Sequence, residues 1–164
     1  MFTTAIDVKV ADEVWIATAL LHQENLRRED FAIEEILERA KQEGLRKPLR
    51  KGVYAHIVQH CVANRAPSPG RYRMLLETAP GRRRLFRPGD SYHPEREGSK
   101  TIPDANELPE AYRPLMDWYR AWSQNTLCER IKHDPLLALY GSGKDIWADE
   151  HADQYVRRLR EGWE

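Results

Sequence analysis

Cysteine is scarce in this 164-residue chain: there are two, Cys61 and Cys128, each in a helix-like context. Their spacing forms no Cys-x-x-Cys pair, which excludes a disulfide framework and argues for a reducing, cytoplasmic setting. Long apolar runs are also missing. None approaches the ~20 residues that span a bilayer, so no membrane partner is expected. The opening MFTTAIDVKVADE has neither a basic n-region nor an apolar h-region, so it does not read as a signal peptide.

The motifs of common enzymes are absent as well. There is no His-Glu-x-x-His, and Gly141-Ser142-Gly143-Lys144 is too short for a phosphate loop. His56 and His60 share a helix face, but further ligands would have to come from His22, His93 or Cys128. No metal and no cofactor is therefore expected. His60 and Cys61 are neighbours on a helix and point apart, so they do not form a nucleophile and base. No catalytic residue is assigned, and the chain is not read as an enzyme.

What is present is charge, unevenly placed. Lys plus Arg and Asp plus Glu balance at 26 each. Residues 39–100 carry 15 basic against 5 acidic side chains, a net of +10, while residues 1–38 stand at −6 and residues 101–164 at −4. A basic middle between acidic ends suits a polyanion, or neutralisation by the ends within the fold.

Periodicity places three helices before the basic centre. Residues 12–25 carry Val14, Ala17, Leu20 and Leu21 at helical spacing, with Asp12 as the expected cap. Residues 31–43 place Ile33, Ile36, Leu37 and Ala40 at i, i+3, i+4 and i+7, after a cap at Asp30 and before a left-handed stop at Gly44. The third, LRKGVYAHIVQHCVAN over 49–64, has Val53, Ile57 and Cys61 in one row and Tyr54, Val58 and Val62 in another. Arg50, Lys51, His56, Gln59, His60 and Asn64 remain for its exposed side.

Pro67, Pro69 and Gly70 then end helix formation. Two extended runs, RYRMLLET and RRRLFRP, flank Ala79-Pro80-Gly81, whose Pro-Gly pair has turn chemistry. Tyr72, Met74 and Leu76 alternate with Arg73, Leu75 and Glu77. A surface loop is expected over 88–109, and a fourth helix over 109–123 with Leu115, Trp118, Tyr119 and Trp122 on one side. Pro114 could kink that helix.

Three helices followed by a basic hairpin are the parts of a winged helix-turn-helix. The stretches DFAIEEILERA, QHCVAN and GRYRMLLETAPGRRRLFRPGD resemble winged-helix modules of bacterial proteins associated with DNA restriction and regulation. The resemblance covers roughly residues 12–123. Ala32 departs from it, where Ser or Thr would be the usual cap. The expected fold class is α+β: a winged helix-turn-helix with an added C-terminal helix and an extended tail. The expected domains are 1–125 and 126–164. Duplex DNA is the partner such a fold implies. Arg50, Lys51, His56, Gln59, His60 and Asn64 on the third helix would approach bases or backbone. Arg71, Arg73, Arg82, Arg83, Arg84 and Arg87 on the hairpin would grip phosphates.

The last stretch, DPLLALYGSGKDIWADEHADQYVRRLREGWE, is similar to the C-terminal tails of small antitoxins that pair with PIN-domain ribonucleases. A nuclease of that kind holds Mg²⁺ with clustered carboxylates. The resemblance implies that Arg157, Arg158 and Arg160 reach that acidic pocket while Trp147, Tyr155, Val156, Leu159 and Trp163 fill apolar grooves. The basic helix from about Ala152 is too short to bury its own apolar residues, which suits folding on a partner. The leading expectation is a DNA-binding transcriptional regulator that serves as the antitoxin of a toxin–antitoxin pair. The alternatives are a stand-alone winged-helix module of a restriction or defence system and a protein adaptor that binds no nucleic acid. Regulators of this kind often form homodimers, yet no heptad or other self-association signal is visible.

Overall fold

A helix that is hydrophobic nearly all round belongs inside a protein, and the first helix behaves that way. The computed structural model describes residues 7–132, 135–138 and 152–161. In it α1 (Val10–Glu24) is buried from Ala11 to Ala19. Its cap is Lys9 rather than Asp12, which lies in the first turn and is fully enclosed.

The chain next makes β1 (Phe31–Ala32), a two-residue strand that sequence periodicity did not reveal. It leads directly into α2 (Ile33–Glu43). Ala32 is the cap of α2. Alanine has no side-chain acceptor, so only the reverse half of a capping box forms: the Ala32 N–H donates to Glu35 Oε2 at 2.8 Å. Arg28 clamps the same carboxylate at 2.7 and 2.8 Å. Gly44 closes α2 at φ 64°, the left-handed geometry expected for it.

The third helix is shorter than the sequence pattern predicts. After a cis Lys47–Pro48 bond, α3 (Gly52–Ala55) runs into a π-helical turn over His56–His60. The Cys61 N–H there reaches back five residues to the His56 carbonyl at 3.0 Å. Val53, Ile57, Cys61 and Val62 are buried as expected, but Tyr54 is 54% exposed. The helix stops at His60 because its continuation is recruited by a strand. Ala63 N–H donates to Leu75 O at 2.7 Å, and Val62 bridges Leu75.

The hairpin is β2 (Leu75–Ala79) and β3 (Arg82–Leu85), joined at Pro80-Gly81 with Gly81 at φ 73°. Leu75 pairs Leu85, Leu76 pairs Arg84 and Glu77 pairs Arg83; the register shifts before Ala79 pairs Arg82. β1 joins the other edge of β3, with Phe31 opposite Arg83. The sheet is antiparallel in the order β1-β3-β2. The hairpin tip is tied down too, since Gly81 O accepts from the Ile33 N–H that starts α2. Trp15, Ile16, Phe31, Ile36, Ile57, Met74, Leu75 and Leu85 form the core between helices and sheet.

The segment after β3 is not merely a surface loop. It sends Arg96, Pro103 and Leu108 inside. A 3₁₀ turn over Glu110–Tyr112 precedes α4 (Pro114–Lys132), so Pro114 starts the helix instead of kinking it. Leu115, Met116 and Tyr119 of α4 are buried.

The chain divides into two compact units, 1–124 and 125–164. Beyond α4, the second unit contains α5 (Pro135–Ala138) and α6 (Ala152–Glu161). The described architecture is α+β, with a small three-stranded antiparallel sheet among helices. Among the described residues no helix is long and apolar enough to cross a membrane.

Candidate nucleic-acid interface

The twelve residues expected to meet DNA divide by what holds their side chains. On the hairpin, the arginines of β3 are turned into the fold. Arg83 is fully buried, with Nε donating to Ile57 O at 3.2 Å and Nη1 to Glu77 Oε1 at 3.0 Å. Arg84 is buried in a two-pronged pair with Asp90, at 2.6 and 2.7 Å. Arg87 is buried with its guanidinium 4.3 Å from the Trp122 ring centroid. Arg82 is half-exposed but bound to Asp30 at 2.7 Å, and this bond holds the Asp30 carboxyl below its ordinary range. Arg83, Arg84 and Arg87, expected to grip phosphates from the hairpin, are buried. β3 is the central strand, paired by β1 on one edge and β2 on the other.

Helix α3 and its π turn show a similar economy. Arg50 reaches Glu13 Oε2 at 2.7 Å and Val8 O at 2.7 Å. His56 Nδ1 lies 2.9 Å from Gly52 O, and burial pulls its pKa down. The His56 and His60 rings meet edge to face at 4.9 Å. Gln59 donates to Ala66 O. Asn64 bonds both the N–H and the carbonyl of Glu77 at 3.0 Å, stitching the end of the third helical segment to β2.

Three of the expected residues keep their cations outside this network. Lys51 and Arg71 are exposed and make no ion pair among the described residues. Arg73 is half-buried; its Nε donates to Ser99 O at 3.3 Å, and its guanidinium lies 4.2 Å from the Tyr92 ring centroid. Exposed Tyr54 belongs with this group, although its apolar spacing placed it among core candidates.

Sequence reasoning missed the residue that organises the turn beneath this face. Arg96 is fully buried and donates to the carbonyls of Gln59, His60, Arg65, Ala66 and Tyr72 at 2.6–3.4 Å. It gathers carbonyls at the end of the π turn, where a helix carries partial negative charge, together with those of the segment that follows. The only sequence signal was an arginine beside Pro94 in a loop, which points nowhere in particular.

Two buried titratable groups were missed as sites. His22 packs against Phe31 and Trp122, and its Nε2 accepts the Leu85 N–H at 3.3 Å. Burial, with Arg87 and Arg84 nearby, pulls its pKa down to about 3. Asp12 is fully enclosed with no hydrogen-bond partner on either oxygen among the described residues, and burial pushes it up to about 6 against the pull of Lys100.

The chain matches no family model, no curated protein and no solved structure. Its sites therefore stand on geometry.

In the second unit, α6 exposes Val156, Arg157, Arg158 and Arg160. Tyr155 and Leu159 lie on the same helix, but their side chains are outside the described set, as are residues Trp147 and Trp163 entirely. Among the described residues no group of three His, Cys, Asp or Glu side chains gathers to hold a metal ion.

Proposed function

We propose that residues 1–125 are a winged helix-turn-helix that binds duplex DNA, and that the chain is a cytoplasmic transcriptional regulator acting as an antitoxin. The order of elements carries the reading. Three helices, a short strand inserted between the first two, and a hairpin closing a β1-β3-β2 sheet are the parts that fold requires. The internal pairing of β3 shifts the contact set. Lys51, Tyr54, Asn64 and Arg71 are exposed around the third helix and the entry to the hairpin, with Arg73 beside them in sequence. The hairpin arginines then act as internal struts that hold the helix and wing in register.

The arm is residues 126–164. An α6 that exposes three arginines and a valine supports a role in reaching an acidic, groove-bearing partner of the PIN-ribonuclease kind. Mobility shifts with DNA from the protein's own promoter, at two salt concentrations, test the first half. Co-purification with a PIN-type ribonuclease from the native cell tests the second. DNA binding without a salt slope, or no binding at all, removes the regulator reading.

The burial of the β3 arginines favours a second reading, a protein adaptor built on the same fold, with Tyr54 as the centre of its contact. Under that reading the promoter fragment is not shifted, and Tyr54→Ala abolishes partner capture.

A further inference from the structure

A cleft of about 330 Å³ lies beyond the hairpin and uses none of the surface argued above except Arg73. Its walls include Arg73, Phe86, Gly89, Tyr92, Thr101 and Tyr119. We infer that this cleft is a binding site for a small aromatic carboxylate, seated against the ring walls with its anion on the Arg73 guanidinium.

The chemistry follows from the charge state of the walls. Asp90 also borders the cleft, but its carboxylate is occupied by Arg84 and by the Arg87 N–H at 2.7 Å. Arg73 differs from the paired arginines of the hairpin region. Arg65, Arg82, Arg83 and Arg84 each face a carboxylate, whereas Arg73 has none within ion-pair distance among the described residues. It is nevertheless held in place. Its backbone N–H donates to Lys100 O at 2.9 Å, and its plane rests on Tyr92 and near Phe86, at 4.2 and 5.7 Å from their centroids. The Tyr92 hydroxyl beside it donates to Glu97. A half-buried, pre-oriented fork without an anion matches a carboxylate in both geometry and charge.

The walls are also aromatic, and they favour an aromatic ligand by edge and face contact. Phe86 and Tyr92 stand at 68° with centroids 6.3 Å apart, and Tyr119 is fixed by donating its hydroxyl to Phe86 O. The volume is at the low end for ligand sites, enough for one or two rings and too small for a folded peptide. A ligand seated there touches both the end of β3 and α4, so occupancy stiffens that junction.

Amide chemical shifts of the full-length protein titrated with benzoate, benzamide and cyclohexanecarboxylate test the inference. Benzoate is expected to move the Gly89, Tyr92 and Thr101 amides saturably. Benzamide, which lacks the charge, and cyclohexanecarboxylate, which lacks the flat ring, should bind roughly tenfold more weakly or worse. Arg73→Gln should abolish benzoate binding, and Thr101→Phe, which fills the cleft and leaves Arg73 in place, should do the same. Absence of saturable shifts at these amides overturns the site. Equal binding of benzoate and benzamide overturns the anion, and equal binding of benzoate and cyclohexanecarboxylate overturns the aromatic preference. Should Arg73→Gln fail to fold, the ligand series and Thr101→Phe still decide.

Discussion

Arg84 and Asp90 form a buried two-pronged ion pair, 2.6 and 2.7 Å, in which the strand arginine clamps the loop that follows it. Asp90 also accepts the Arg87 N–H, and Arg84 donates to Leu85 O at 2.9 Å, so few donors or acceptors are left idle. Removing one partner leaves the other charged and dry. Asp90→Ala is expected to lower unfolding free energy by about 3–5 kcal/mol in a urea titration. Replacing both, as Arg84→Met with Asp90→Leu, should recover much of that loss. A double variant as unstable as Asp90→Ala would show that the clamp is more than a compensated pair.

The DNA reading separates struts from contacts. Lys51→Ala and Arg71→Ala should leave thermal unfolding nearly unchanged, weaken DNA binding, and each reduce the slope of log affinity against log salt by about one. Arg83→Ala should do the opposite, lowering stability through loss of a buried guanidinium bonded to Glu77 and Ile57. Circular dichroism melts alongside mobility shifts distinguish the two classes.

His22 and Asp12 set opposing pH dependences. His22 stays neutral in the fold down to about pH 3 but takes a proton below pH 6.5 when unfolded. Its stabilising share is therefore complete above pH 6.5 and is lost as pH falls toward 3, at up to about 1.4 kcal/mol per unit. Asp12 keeps its proton in the fold up to about pH 6, while the unfolded group releases it near 3.8. Its effect runs the other way: stability falls as pH rises from 3.8 to 6. Between pH 4 and 6 the two slopes nearly cancel. Asp12→Asn should expose the His22 slope, giving a steeper acid decline than the parent in urea midpoints from pH 4 to 6. An unchanged profile would show that Asp12 does not titrate as its surroundings dictate.

The same substitution should stabilise the protein at pH 7. Asp12 is ionised there, enclosed and without a hydrogen bond among the described residues, so its charge is a cost offset by Lys100 and Lys9 across the cluster with Glu107. Asparagine removes the charge at nearly constant volume. After allowance for that screening, a gain of about 1–2 kcal/mol is expected by denaturant unfolding. A loss would mean that the carboxylate has a partner that binds it at neutral pH.

Deletion of residues 134–164 should leave the cooperative unfolding of residues 1–124 and the salt-dependent DNA shift intact, while abolishing capture of the ribonuclease partner. Loss of folding on truncation would instead make the last residues part of the domain's own core, and the arm reading would fall.

Much of the helical framework was written locally. Ile33, Ile36, Leu37 and Ala40 define the buried face of α2, and Gly44 its end, because 3.6-residue spacing and left-handed backbone are properties of a few consecutive residues. Pro80-Gly81 likewise specified a turn between two extended runs. The tertiary structure decided where charge goes. Asp30 lies 52 residues before Arg82, Glu13 lies 37 before Arg50, and His22 lies 63 before the Leu85 amide it accepts. None of these pairings has a local period. β1 escaped notice for a related reason, since two residues cannot display alternation, and only pairing with the edge of β3 that β2 leaves open made Phe31–Ala32 a strand. The sequence alone could count the arginines of the basic centre. Which of them face solvent depended on carboxylates and carbonyls brought beside them by folding, because a buried guanidinium is tolerated only where such acceptors converge.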